Sequence, residues 1–219
     1  TIALPLVMDT FYFFGISGWV FAPILQSIQK SALAENMAAY AAGLTPTNIN
    51  AYGLTRYIMI GGEGATLPLA FYMLFAKSKK NKMLGRATLV PSLFNINEPL
   101  VFSTIVANPF MFIPMVLQSI ILPANAYLWM SMGWASLHVE NFDMNFLPNA
   151  VSAFFMSGGD IRNVALVCVN LLIAAILWFP FFKAADNYQC KVEEEQAAEK
   201  AAKKAAKKAA KAAAAAAAE

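Results

Sequence analysis

Long apolar stretches separated by short polar segments dominate this chain. Asp9 is the only charged residue between residues 1 and 29, and residues 99–137 contain none. A helix of about 20 apolar residues can cross the hydrocarbon core of a bilayer, so each stretch is long enough for a full crossing. Further crossings are predicted at about 57–76 and 163–182. The pattern therefore predicts an all-α, multi-span membrane protein.

Glycine and proline interrupt several of these stretches. We expect a break near Gly15 and Gly18 in the first one, and a second break at Pro123, after a span over about 103–122. The sequence Gly61-Gly62-Glu63-Gly64 interrupts the 57–76 crossing. Residues 31–53 are less hydrophobic and rich in alanine, and we predict that they lie at the membrane interface or form a re-entrant helix.

Two apolar segments are too short to cross the membrane. Residues 87–97 contain Pro91, and residues 144–159 contain Pro148 and end in Gly158-Gly159. Half-length segments interrupted by proline or glycine indicate transporter binding sites, because a helix that ends inside the bilayer leaves backbone groups unpaired. We therefore expect re-entrant hairpins whose ends face a ligand. The alternative is a pair of short amphipathic helices on the membrane surface.

The distribution of charged residues separates a membrane domain from a polar tail and indicates which side faces the cytoplasm. Hydrophobic residues make up 59% and charged residues 13%, which excludes an ordinary soluble domain. The loop from Lys77 to Arg86 is basic without an acid and should face the cytoplasm. We predict a membrane domain over 1–185 and a cytoplasmic tail over 186–219, rich in Ala, Lys and Glu. The tail should be helical, either as a solvated spacer or bound to anionic lipid.

A polar cluster lies at the end of the first short segment, at Asn95-Ile96-Asn97-Glu98-Pro99. A carboxylate inside a membrane costs several kcal/mol unless it is paired or used, so Glu98 is a functional candidate. Amides and a carboxylate together can bind sugar hydroxyls, which donate and accept hydrogen bonds. Alternatively, Asn95 and Asn97 cap the next helix and Glu98 interacts favourably with its N-terminus.

Residues 93–102 closely resemble the NINEP signature of phosphotransferase-system (PTS) sugar permeases, of the lactose, cellobiose and chitobiose type of EIIC domain. The sequence Gly61-Gly62-Glu63-Gly64-Ala65-Thr66-Leu67 is similar to a second family motif, and the basic loop follows at the expected place. The resemblance covers most of residues 1–185. It implies the substrate-binding half of an elevator-type transporter, working as a homodimer in the bacterial inner membrane.

The resemblance also implies the function and the site. The permease would bind and translocate a β-linked disaccharide, and the partner EIIB would phosphorylate its 6-hydroxyl. Glu98 would hydrogen-bond the sugar and act as a general base, and Asn95 and Asn97 would shape the hairpin tip. Ser17 and Gly18 would line the opposite wall. No cofactor, metal site or nucleic-acid partner is expected, and phosphoryl transfer would be supplied by EIIB.

Three residues depart from the family pattern. Ser17 replaces a histidine, and it cannot titrate near neutrality. Phe146 follows Asn145 where the family commonly has a tryptophan, and it offers a smaller surface for stacking on a sugar ring. Glu63 replaces a small residue; it would pair with Arg56, line a polar cavity or remain protonated.

The length of the chain suggests an alternative function. Permeases of this kind are roughly twice as long, so an N-terminal scaffold half would have to come from another chain, or this chain is a fragment. The alternative function is a truncated, non-transporting membrane partner that binds or regulates a full permease. The only histidine, His138, lies near Glu140 and Asp143 and is predicted to be a solvated loop residue.

Overall fold

The computed structural model describes residues 2–106, 108–142 and 146–216, and the regular elements in these ranges are helical. The α-helices are α1 Ala3–Phe13, α2 Ala22–Ala41, α3 Thr55–Ile58, α4 Leu67–Leu74, α5 Lys79–Leu93, α6 Glu98–Leu100, α7 Pro109–Ser131, α8 Asn149–Met156 and α9 Ile161–Ala216. A 3-10 turn at Gly18–Phe21 precedes α2, and a π-helical turn at Val101–Ile105 follows α6.

The first apolar stretch breaks where its glycines predict. Helix α1 ends at Phe13, and Gly15 has a φ of +82°, a left-handed conformation that glycine adopts without a steric penalty. The chain then passes through the 3-10 turn into α2, with Pro23 in the first turn, where a proline removes no helical hydrogen bond. This part of the sequence therefore forms two helices.

Helix α7 contradicts the predicted break at Pro123. It runs continuously from Pro109 to Ser131 with Pro114 and Pro123 buried inside it. Its start is also later than expected, because Asn108 caps it by accepting a hydrogen bond from the Phe110 amide at 3.2 Å. Prolines are tolerated within membrane helices when neighbouring elements compensate for the lost backbone bond, and α7 packs along α9.

Helix α9 passes through residue 185 without a break, so the start of the predicted tail continues the last crossing. Asp186 accepts hydrogen bonds from the backbone amides of Lys77 and Ser78, at 2.7 and 3.2 Å. Glu193 accepts one from the Ser78 hydroxyl at 2.7 Å, which lowers the pKa of its carboxyl. The first part of the tail is therefore docked on the start of α5, and the division at 185 stays a prediction.

Two helices in the described ranges are long and apolar enough to cross a membrane, at Pro109–Ser131 and Ile161–Lys207. Helix α9 packs against α4, α7 and α8, and the core between them is filled by apolar side chains. Trp178 of α9 is completely buried in a second apolar cluster, with side chains of α4 and α7. These helices support the short elements α3, α4 and α8, which could not be stable alone.

His138 is buried, not solvated as the sequence predicts. Only 1% of its surface is exposed, and its Nε2 lies 2.9 Å from the Tyr57 hydroxyl. Because the Asn163 amide donates to the same hydroxyl at 2.6 Å, Tyr57 donates to His138. Burial, followed by the charge of Arg56, lowers the pKa of His138 to about 4. The prediction failed because contacts from α3 and α9 cover this loop; Asp143 lies outside the described residues.

Candidate functional site

A cavity lined by apolar and polar side chains lies between the broken first segment, the loop from α3 to α4, and the tip of the hairpin that joins α5 to α6. Its volume is about 120 Å3. Its charged lining residues are Arg56, Glu63 and Glu98. Tyrosine, glutamine and asparagine side chains complete a wall that can both donate and accept hydrogen bonds.

Glu98 lies at the wall of this cavity and is half-buried. It is the first residue of α6, immediately before Pro99, so the proline sits where its missing amide hydrogen costs the helix nothing. Helix α5 begins earlier than the predicted segment 87–97 and ends at Leu93, so Glu98 lies just after the turn between α5 and α6. The structure therefore brings the carboxylate singled out in the sequence into a cavity with many hydroxyl-binding groups.

Asn97 is buried and fixes the hairpin tip to the glycine-rich loop. Its Nδ2 donates to the Glu63 carbonyl oxygen and to Thr66 Oγ1, both at 2.7 Å. Gly62 has a φ of +99°, and a Cβ there would stand only 2.3 Å from Asn97 Cγ. The loop needs glycine at this position both for its conformation and for the close approach of the tip.

Asn95 joins the tip to a third part of the chain. Its backbone has a φ of +61°, which asparagine tolerates better than most residues. Its Oδ1 accepts from the Gly61 amide at 3.1 Å, and its Nδ2 donates to the Leu147 carbonyl at 2.9 Å. Leu147 precedes α8, so one amide side chain links the loop and both re-entrant segments. Asn95 and Asn97 line the cavity and also hold its walls together.

Two further residues hold the same loop, and sequence reasoning missed both of them. Asn149, at the start of α8, donates to the carbonyls of Arg56 and Met59 at 2.8 and 3.1 Å. Trp178 Nε1 donates to the Ala65 carbonyl at 3.0 Å. The available signal was a polar amide and an indole in otherwise apolar segments, since such groups need a partner.

These contacts satisfy backbone groups between α3 and α4. The carbonyls of Met59, Glu63 and Ala65 accept hydrogen bonds from protein side chains. A backbone group inside a membrane must be satisfied, and the partner can be protein as well as substrate. The expectation that the ends of segments 87–97 and 144–159 face a ligand stays a prediction.

The remaining predicted site residues occupy different places. Gly18 and Tyr12 line the cavity, but Ser17 does not. The side chain of Ser17 is hydrogen-bonded to that of Tyr12. Phe146 also lines the cavity and is 63% exposed, so a face of its ring is free for stacking. Asn145 lies outside the described residues. Within the described ranges, no group of three or more His, Cys, Asp or Glu is arranged to hold a metal ion.

Glu63 lies in the loop between α3 and α4 and lines the cavity beside Gly18. It is 8% exposed. Asp9, buried behind it in α1, accepts a hydrogen bond from the Ser119 hydroxyl of α7. The structure thus brings acids from the first helix, the loop and the hairpin tip, Asp9, Glu63 and Glu98, into one region.

The sequence profile of the family described as "Phosphotransferase system, EIIC" matches residues 1–119. The chain belongs to this family. It is 33% identical over 193 residues to the PTS system oligo-beta-mannoside-specific EIIC component of Bacillus subtilis (strain 168), covering 86% of this chain and 43% of that protein. It is 31% identical over 191 residues to the PTS system lactose-specific EIICB component of Staphylococcus aureus (strain N315), covering 84% and 33%.

A solved structure has the same fold. The crystal structure of the IIC component from the N,N'-diacetylchitobiose-specific phosphotransferase system superposes with a TM-score of 0.84 and 30% identity. The match covers 88% of this chain and 46% of that one. The chain therefore spans less than half the length of these relatives. The resemblance to the PTS permease family and the all-helical transporter fold are confirmed.

Proposed function

We propose that this chain is the sugar-binding part of a PTS permease, and that it binds and translocates a β-linked disaccharide. The observation that carries the proposal is the position of Glu98 just after the hairpin turn, on the wall of a cavity that several hydroxyl-binding side chains line. The family and the named specificities of similar proteins support a β-glycoside as the ligand.

Glu98 would act on the sugar hydroxyl that receives the phosphoryl group. Its carboxylate accepts a hydrogen bond from the 6-hydroxyl and takes the proton as the hydroxyl oxygen attacks the phosphoryl group carried by EIIB. The bond between that group and EIIB breaks in the same step. Ser17 cannot share this task as an imidazole would, because a hydroxyl does not accept a proton near neutral pH.

Asn95 and Asn97 have a positioning role in this proposal. Because both amides bind the loop between α3 and α4, the carboxylate of Glu98 is held at a fixed distance from the opposite wall. Phe146 stacks on the sugar at the edge of the cavity with the exposed part of its ring. Preorganised groups of this kind bind a ligand without an additional ordering cost.

We propose that the chain lies in the bacterial inner membrane, with the basic loop and the tail in the cytoplasm, and that an N-terminal scaffold half completes it within a homodimer. Exposed apolar side chains on the first segment, Val20, Ile24 and Ile28, suit burial against lipid or such a scaffold. The moving unit would carry the cavity as one body, as in an elevator.

The second candidate is a non-transporting membrane partner that binds or regulates a full permease. Ser17 favours it, because the side chain that replaces the family histidine is bonded to Tyr12 and does not line the cavity. A chain with this role would keep the cavity and lose the catalytic proton transfer.

The test is a binding titration of the purified chain in nanodiscs with cellobiose, lactose and diacetylchitobiose. We expect saturable binding of at least one sugar, weakened at least about tenfold in Glu98→Gln, because a charge-assisted hydrogen bond is lost. Glu140→Gln is the matched control, since Glu140 is exposed and outside the cavity. Absence of binding in a folded sample, or unchanged binding in Glu98→Gln, would contradict the proposal.

A further inference from the structure

Glu63 is a buried acid, and one of its carboxyl oxygens has no hydrogen-bond partner among the described residues. The residue is 8% exposed, and the oxygen in question is Oε1. A buried polar group without a partner is costly, and an unpaired buried charge is more costly still. The side chain lines the cavity, but Oε1 itself is covered by the wall, so a ligand supplies the missing partner when the carboxyl group turns outward or a neighbouring side chain moves aside.

Neighbouring residues hold the backbone of Glu63 and leave room for its side chain. The Glu63 carbonyl oxygen accepts a hydrogen bond from Asn97. On the other side, a Cβ at Gly18 would be 2.7 Å from Glu63 Oε1 and 3.0 Å from Oε2. Gly18 therefore leaves just the space that the carboxylate occupies, and Glu63 is part of a built wall.

The charges around Glu63 favour a cation. Asp9 and Glu98, both acids, lie close enough to act electrostatically on the Glu63 carboxyl group. Arg56 brings a positive charge to the lining and Glu98 a negative one, and an ionised Glu63 adds a second negative charge. A concave site with an excess of one sign of charge concentrates ligands of the opposite sign.

We propose that Glu63 determines specificity by binding the protonated amino group of a β-linked amino-sugar disaccharide. This inference rests on the proposed function, since it takes the cavity as a sugar site. An ammonium group suits a carboxylate oxygen because it donates hydrogen bonds, has no acceptor atoms and carries a positive charge opposite to that of the carboxylate. A hydroxyl in the same place would donate to Glu63 without the charge, and an acetamido group would replace a charged donor with a bulkier neutral one.

The test compares three disaccharides with the same β-1,4-linked backbone and different groups at carbon 2. These are cellobiose with hydroxyls, diacetylchitobiose with acetamides and the glucosamine dimer with amines. Binding to the chain in nanodiscs is measured at a pH at which the amines are protonated. We expect the glucosamine dimer to bind at least about tenfold tighter than cellobiose, because a hydrogen bond between opposite charges is stronger than one to a neutral donor.

Variants then assign the preference to Glu63. In Glu63→Gln the affinities for the glucosamine dimer and for cellobiose should differ by no more than about threefold, because the amide keeps the shape of the side chain and removes its charge. Glu63→Ser serves the same purpose if the glutamine variant does not fold, and Glu140→Gln, on the exposed surface, should keep the wild-type ratio.

The outcomes separate the two proposals. If sugars bind but the amine dimer binds no tighter than cellobiose, or if its advantage survives in Glu63→Gln, the inference is wrong and the proposed function stands. Tighter binding of the acetylated sugar through Glu63 would also overturn it, because the carboxyl would then act as a neutral donor. If no sugar binds to a folded sample, the proposed function itself fails.

Discussion

The contact between Asn97 and the glycine-rich loop allows a quantitative prediction. Asn97→Ala removes two buried hydrogen bonds, each 2.7 Å long, and leaves the Glu63 carbonyl without its donor. Hydrogen bonds between helices in membrane proteins contribute about 0.6–1.7 kcal/mol each, so the variant should lose about 1–3 kcal/mol of stability. For a chain of this size, a loss of this magnitude lowers the melting temperature by about 2–12 °C.

The assay is thermal unfolding in detergent, followed by tryptophan fluorescence, with sugar titration of the folded sample. Asn187→Ala is the matched control, because Asn187 is an exposed asparagine of α9. We expect the control to melt close to the wild type, and Asn97→Ala to melt earlier and to bind sugar more weakly because the walls of the cavity separate. If Asn97→Ala melts and binds like the control, the tip and loop are not held by this side chain.

Three further predictions test other contacts. Gly62→Ala should lower the melting temperature more than Gly133→Ala. Both glycines have a positive φ, but of the two only Gly62 has other atoms within 4 Å of the added Cβ. Because His138 is held neutral with a pKa of about 4, its contribution to stability is complete above pH 6.5 and is lost as the pH falls toward 4; pH-dependent melting should show a smaller loss in His138→Gln. Glu193→Ala should speed hydrogen exchange at the first amides of α5, whereas Glu194→Ala, which changes an exposed neighbour, should not.

The sequence predicted the discontinuous elements because glycine and proline act locally. Gly15 breaks the first segment, and the cluster around Gly61 separates α3 from α4, because these residues favour or require conformations outside a helix. Pro123 shows the limit of this reasoning. A proline ends a helix only if the surroundings do not compensate, and the packing of α7 against α9 cannot be read from neighbouring residues.

The partners of the polar side chains could not be predicted for the same reason. Glu98 and Asn97 were identifiable as polar residues in an apolar context, which implies that they have a partner. The choice of partner depends on the tertiary fold. Asn149 donates to carbonyls 93 and 90 residues away, and His138 contacts Tyr57, whose hydroxyl also accepts from Asn163. The sequence thus indicated candidate residues for a site, and the structure shows which side chains surround them.

The most direct test of the account is a structure of the chain in nanodiscs with a bound disaccharide. The account predicts a sugar inside the cavity, with a hydroxyl within hydrogen-bond distance of the Glu98 carboxylate and a ring near Gly18 on the opposite wall. A sugar bound outside the cavity, or one inside it that makes no contact with Glu98, would contradict the central claim.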